Sequence, residues 1–292
     1  MCSQATRQPA GDNVSRPPQR LTLEQVEFFY TNGYLRGIPV CDPARVARNS
    51  AGLEELKQQL AMKTTLSEGT FAQERHYPYL FELANNPAII DCVEDLLGPN
   101  IILWCVHIAC KEPGDGEYSW HQDRAGAPIR LVANPQRPAR CPDTLSVWLA
   151  IDHSHRGNGA YKVIPRSFRA GLLEHAIEPR EVKTPEGGVE IRDNITLRFD
   201  EEAWNPASAE YMELLPGEIS IHHDLAIHMS EPNHSRQRRA GVTISFSRTD
   251  AKVDLNVWPN HRSRLMRGID ESCLNPMWQE FESEPIDLLK KP

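Results

Sequence analysis

From Ile101 onward the chain is a succession of short β-type runs, and no other feature narrows its fold as far. The runs "IILWCVHIAC", "LSVWLAID", "AYKVIP", "GEISIHH" and "AGVTISFS" are rich in β-branched, aromatic and apolar residues and are separated by Gly, Pro and Asn turns. Many short strands divided by turns bury their apolar faces by packing sheet on sheet or by closing into a barrel. A β core over residues 99 to 250 is therefore expected. No self-similar period interrupts it, and "PQRPARCPD" and "KTPEGGVEIRDN" read as loops within the core rather than as linkers.

The preceding third has a different texture. "LTLEQVEFFYTNGYLRG" offers Thr22 as an N-cap with Gln25 three residues on, apolar residues at Val26, Phe28 and Phe29, and Gly33 as a stop. That predicts a helix, followed by a strand entered at Tyr34. "GLEELKQQLAMK" and "NPAIIDCVEDLLGPN" repeat the helical period, and Gly98-Pro99 closes the second. The first 20 residues are rich in Pro, Gln, Ser and Arg and predict a flexible tail. Residues 21 to 292 then form one domain, with a helical part over 21 to 98, the β core, and a C-terminal extension after Asp250 that the pattern does not assign. A length of 292 residues is normal for such a domain.

Charge and composition exclude some functions. A formal charge of -8 and a pI near 5.8 provide no overall basic field for nucleic acid. No apolar run approaches the roughly 20 residues of a membrane span, and the opening residues lack the apolar centre of a secretory signal. The seven cysteines are scattered without a CxxC pair, so they read as reduced thiols. The expectation is a cytosolic protein without nucleic-acid or membrane partners.

Chemistry concentrates at two places. In "YSWHQDRAG", an extended backbone over residues 119 to 123 turns His121 and Asp123 to one side, because strand side chains alternate with period two. The later stretch "PGEISIHHDLAIHMSEPNHSRQRRAGVTISF" supplies His222, His223, Asp224, His228 and His234. Two imidazoles and one carboxylate on one face of an iron leave three positions open for cosubstrate and oxygen. Zinc uses similar ligands with fewer open positions. An arginine beyond the last histidine supplies a planar, permanently charged fork suited to a dicarboxylate. The residues alone leave three readings: an oxygenase, a metal-dependent hydrolase, and a non-catalytic binding module.

The motifs "LTLEQVEFFYTNGYL", "GPNI", "CKEPGDG", "WHQD", "VWLAIDHS", "GNGAYKVIPRSF" and "IHMSEPNHS" followed by "RRAG" occur in this order. In this the chain resembles the phytanoyl-CoA dioxygenase family of Fe(II)- and 2-oxoglutarate-dependent oxygenases over most of its length. The resemblance implies a mostly β fold with N-terminal helices and a double-stranded β-helix core of jelly-roll, cupin-like type. It implies Fe(II), 2-oxoglutarate and O2 as cofactor and cosubstrates. The implied reaction is hydroxylation of a small molecule, a polar metabolite or natural-product intermediate, with release of succinate and CO2.

Carried over residue by residue, the resemblance implies His121, Asp123 and His228 as iron ligands, with His222 and His223 as decoys. It places Ser230 and Arg239 on the distal carboxylate of 2-oxoglutarate, and Trp148 and His107 on the wall of its pocket. Arg238, adjacent to Arg239, faces the opposite way on a strand, so a one-residue error in register would exchange their roles. Asp123 argues against halogenation, for which related enzymes have a small residue at that position. Arg124 and Arg130, in a loop that also carries Arg137 and Arg140, suggest a carboxylate-bearing substrate. Lys111 reads as an exposed strand end, His153 and His155 as loop polar residues, and Gly157 to Gly159 as a turn.

Overall fold

The computed structural model describes residues 17–60, 70–126, 129–131, 141–183, 189–198, 204–288 and 290. Helix α1 (Leu23–Asn32) begins with the expected capping box. The Gln25 backbone N–H donates to Thr22 Oγ1 at 3.1 Å, and the Thr22 N–H donates to Gln25 Oε1 at 2.8 Å. It ends at Gly33, whose φ of 85° is left-handed; a Cβ there would meet the Phe168 ring at 2.6 Å. Helices α2 (Pro43–Leu60), α3 (Pro78–Ala84) and α4 (Pro87–Leu97) follow, the last capped by Asn86 and ended by Gly98. No helix among the described residues is long and apolar enough to cross a membrane.

The strands form two principal sheets. The larger has the order β1 (Tyr34–Pro39), β10 (Glu218–His223), β5 (Thr144–Ala150), β12 (Arg239–Arg248), β2 (Ile101–Lys111) and β14 (Arg264–Arg267), with every pair antiparallel. The smaller has the order β3 (Tyr118–His121), β11 (His228–Ser230), β6 (Tyr161–Val163) and β9 (Glu210–Tyr211). Two ribbons complete the set: β4 (Ile129–Leu131) with β13 (Ala251–Val253), and β7 (His175–Lys183) with β8 (Val189–Leu197). This is the expected mostly β, jelly-roll fold with N-terminal helices.

Alternation along the large sheet gives it two chemically different faces. Leu145, Val147 and Leu149 of β5, Ile219 and Ile221 of β10, and Val242, Ile244 and Phe246 of β12 pack in one apolar core with Phe29, Leu53, Leu80, Ile89 and Leu96 of the helices. Burial of each such side chain contributes about 1.5–3 kcal/mol. The intervening positions, Ser146, Trp148, Ser220, His222, Gly241, Thr243 and Ser245, point the other way. On that face Trp148 and Ala150 pack with Tyr161 and Val163 of the small sheet. The helices thus take the apolar face, and the polar face is left between the sheets.

The sequence boundaries need two amendments. The expected tail lies outside the described residues up to residue 16, but Gln19 and Arg20 are tied down, their backbone N–H groups donating to the Asp95 carboxylate at 2.6 and 2.9 Å. The C-terminal extension supplies β14 at the edge of the large sheet, and its buried Trp278 meets Phe81 of α3 edge-on, with ring centroids 5.2 Å apart. Among the cysteines, Cys41, Cys92, Cys105, Cys110 and Cys141 are free thiols, whereas Cys273 is disulfide-bonded, so the set is not wholly reduced.

Candidate active site

His121 and Asp123 converge by a route different from strand alternation. Strand β3 ends at His121, and Asp123 starts the single turn of helix α5 (Asp123–Gly126). Gln122, fully buried between them, fixes the corner. Its Nε2 donates to the carbonyls of Gly171 at 2.9 Å and Leu225 at 2.6 Å, and its Oε1 accepts from the Leu173 N–H at 2.8 Å. A buried amide satisfied on both its donor and acceptor atoms holds one geometry. His228 joins from the neighbouring strand, directly opposite His121 in register.

One side-chain atom from each of His121, Asp123 and His228 lies within 4.8 Å of the other two. Asp123 Oδ1 is 3.8 Å from His121 Nε2 and 3.4 Å from His228 Nε2. The far ring nitrogens face backbone carbonyls: His121 Nδ1 is 2.8 Å from Ser119 O, and His228 Nδ1 is 2.9 Å from Ala226 O. A carbonyl only accepts, so each Nδ1 carries a proton and each Nε2 is the nitrogen turned toward Asp123, available to a metal once it is unprotonated. Burial, reinforced by the adjacent His228, brings the His121 pKa down to about 3. Burial also opposes charge on His228, but the Asp123 carboxylate outweighs it and the pKa rises. For Asp123 burial acts upward, yet the imidazoles of His228 and His222 hold the carboxyl well below its usual range. Two neutral nitrogen donors and one anionic oxygen suit a divalent transition metal.

Arg239 and Arg238 part company at the start of β12. Arg238 reaches outward to Asp152, at 2.8 and 3.1 Å, and to Glu54 at 2.6 Å. Arg239 is buried, its guanidinium carbon 5.4 Å from the centroid of the Trp148 ring, and one N–H donates to Ala109 O at 3.3 Å. Its Nε has no hydrogen-bond partner among the described residues, and burial brings its pKa down to about 10. A desolvated guanidinium with an unused donor is costly by itself and fits an anionic ligand. Trp148, whose direct partner on β12 is Thr243, approaches this arginine because Gly241, diagonally opposite it, leaves space: a Cβ on Gly241 would lie 2.1 Å from Trp148 Cζ2. Gly241→Ala should therefore displace the indole and cost about 1–3 kcal/mol. A thermal melt checks this, and an unchanged midpoint would remove the packing argument.

Ser230 is buried on β11, two residues from His228 and on the same side of the strand. His107, on β2 opposite Thr243, has its Nδ1 without a hydrogen-bond partner among the described residues, and its ring lies 5.6 Å from that of Phe71. Lys111 departs from the reading as an exposed strand end. It is buried, and its Nζ donates to the carbonyls of Gly116 at 2.8 Å, Ser230 at 3.0 Å and Glu231 at 2.6 Å, tying β2 to the end of β11. Arg124, expected at the substrate, instead pairs with Asp224 and lies 3.6 Å from Asp143, so its charge is already matched within the fold. The backbone of Arg130 pairs with Lys252; its side chain, with Arg137 and Arg140, lies outside the described residues.

The two supposed decoys behave differently. His223 faces away, stacked on Phe168 at 4.8 Å and 3.0 Å from Asp224. His222 enters the site: its Nε2 is 2.9 Å from Asp123 Oδ2, and its Nδ1 is 3.2 Å from the Tyr161 hydroxyl. Ser146 Oγ donates to the same Asp123 oxygen at 2.5 Å. Sequence reasoning passed over Ser146, Tyr161 and Gln122 as well. The available signal was a serine inside the otherwise apolar run "LSVWLAID", one position out of phase with its core residues.

The family model for phytanoyl-CoA dioxygenase (PhyH) matches residues 29–241. A probable alpha-ketoglutarate-dependent hypophosphite dioxygenase of Stutzerimonas stutzeri is 29% identical over 184 residues, which cover 63% of this chain and 56% of that protein. The chain thus spans little more than half the length of that relative. A probable phytanoyl-CoA dioxygenase of Caenorhabditis elegans is 24% identical over 287 residues, covering 89% of this chain and 86% of that one. The solved structure of ThoJ, a non-heme monooxygenase in its apo form, superposes with a TM-score of 0.69 at 20% identity and covers 88% of both chains.

Proposed function

The chain belongs to the phytanoyl-CoA dioxygenase family, and on that premise we propose that it is an Fe(II)- and 2-oxoglutarate-dependent oxygenase that hydroxylates a small molecule, a polar metabolite or natural-product intermediate. In this reading His121, Asp123 and His228 hold the iron. Arg239 and Ser230 take the distal carboxylate of 2-oxoglutarate, with Trp148 and His107 along its wall. When bound, the iron supplies the oxidising chemistry, coupling O2 and 2-oxoglutarate to substrate oxidation with release of succinate and CO2. The residues supply orientation and exclusion of water. Backbone carbonyls keep both imidazoles in the metal-binding tautomer, and the large sheet covers the pocket on its helical side.

The observation that carries the reading is the buried Arg239, with its unpartnered Nε, lying over Trp148 on the sheet that faces the three ligands. Hydrolysis does not require a cationic anchor for a dicarboxylate cosubstrate, and three converging metal donors favour a catalytic site over a silent binding module. Aerobic incubation with Fe(II), ascorbate and 2-oxoglutarate should release succinate, and more of it in the presence of a substrate found by mass shift. Turnover that proceeds without 2-oxoglutarate would replace the oxygenase reading with the hydrolase.

A carboxylate-bearing substrate remains part of the proposal in narrower form. Arg124 is already matched by two carboxylates, which leaves Arg130 as the candidate cation. His107 lies beside Phe71, whose ring is 5.7 Å from Trp258. That setting supports a substrate with a flat or apolar portion next to a hydrogen-bonding group.

A further inference from the structure

The two oxygens of Asp123 have separate partners. Oδ1 faces the Nε2 atoms of His121 and His228, whereas Oδ2 receives Ser146 Oγ at 2.5 Å and His222 Nε2 at 2.9 Å. The second pair is built into the sheet. His222 on β10 and Ser146 on β5 are direct cross-strand partners in register, so their side chains rise together from one face and meet on one oxygen.

The direction of each bond in this group follows from what each atom can donate. Oδ2 of an ionised carboxylate only accepts, so His222 Nε2 carries a proton, and in the neutral ring its Nδ1 accepts. The Tyr161 hydroxyl, 3.2 Å away, is then the donor to Nδ1, and Ser220 Oγ, 2.7 Å from the Tyr161 oxygen, donates to it in turn. Ser220, Tyr161 and His222 are all buried, so water does not compete for these bonds. Both nitrogens of His222 are committed, and it lies outside the set of three groups that converge as metal ligands.

We propose that His222 is a positioning residue that, together with Ser146, holds Asp123 Oδ2 away from the metal so that the carboxylate presents Oδ1 alone. The inference rests on the metal site described above. A carboxylate with both oxygens free can chelate a metal through either or both, and the second oxygen would take a position that cosubstrate or oxygen requires. His222 and Ser146 remove that option through the fold, without touching the metal themselves.

The test compares His222→Phe, which keeps a ring and removes the donor, with His222→Gln, whose amide restores a donor near Nε2. Full-length protein is loaded with Co(II), and its visible absorption and 2-oxoglutarate affinity are followed by titration. Wild type and His222→Gln should give the same Co(II) spectrum. His222→Phe should still bind Co(II), with an affinity lower by about 10- to 100-fold, as loss of supporting groups behind metal ligands typically imposes, and should show an altered spectrum and a weaker affinity for 2-oxoglutarate. If His222→Phe does not fold, as judged by circular dichroism, Tyr161→Phe serves instead, because it removes the donor to Nδ1 while leaving β10 intact; a smaller shift of the same kind is expected. A His222→Phe spectrum and affinity equal to wild type overturn the proposal, as does a His222→Gln variant equally defective. Complete loss of Co(II) from a folded His222→Phe makes His222 a ligand and overturns it too. Failure of the underlying reading looks different: wild-type protein would bind no Co(II), or its Co(II) spectrum would not respond to 2-oxoglutarate.

Discussion

Arg239→Ala should raise the 2-oxoglutarate concentration needed for half-maximal turnover at least tenfold with iron saturating, while Arg238→Ala leaves it nearly unchanged. The difference follows from where the two guanidinium groups lie. Arg239 is buried with an unused donor over Trp148, so removing it leaves the dicarboxylate's far charge without compensation in a desolvated pocket. Truncating one partner of such a pair costs about 2–5 kcal/mol, and about 1.4 kcal/mol already corresponds to tenfold. Arg238 is committed to Asp152 and Glu54, and its loss acts on how β12 is tied to α2 rather than on the cosubstrate. A 2-oxoglutarate titration of both variants, with metal content measured in parallel, separates cosubstrate capture from metal loss. A defect confined to Arg238→Ala would contradict the assignment.

Asp123→Gly should abolish substrate oxidation and lower metal affinity by about 100-fold or more, equivalent to roughly 2.7 kcal/mol. The change removes the only anionic donor of the set. It also leaves Ser146 and His222 directed at an oxygen that no longer exists, so added metal does not recover the geometry. Calorimetric titration with Co(II) measures the affinity directly, and succinate release at saturating Fe(II) measures the activity. Turnover equal to wild type under those conditions would remove Asp123 from the metal.

The comparison of sequence with structure turns on which features are local. The capping box at Thr22 and Gln25 and the stop at Gly33 are legible because cap chemistry acts within a few residues. The core face of β12 is legible because Val242, Ile244 and Phe246 alternate with Gly241, Thr243 and Ser245. His121 and His228 could be paired through a motif, yet the reason they meet is the β3 to β11 register, which no run of residues displays. That His222, although not a ligand, still enters the site was hidden for the same reason. In "IHHD" nothing distinguishes the histidine that faces the site from the one that stacks on Phe168 until β10 is set beside β5 and His222 falls opposite Ser146. Lys111 looked exposed because a terminal lysine on a strand commonly is. Its burial depends on three carbonyls, two of them about 120 residues away. The arrival of Asp123 through a helical turn depends on Gln122 finding acceptors near residues 171 and 225, again beyond any local pattern.

Strand β14, among the last elements of the chain, lies at the outer edge of the large sheet against β2, the first strand of the β core. During synthesis, β2 emerges more than 150 residues before the strand that covers it. For that interval the backbone groups of Ile101 to Leu103 form an open edge, the kind of surface on which one nascent chain pairs with another. The protein's vulnerability to self-association at this edge therefore lasts until β14 has emerged and paired, an event that comes after the last strand of the metal-binding region has been made.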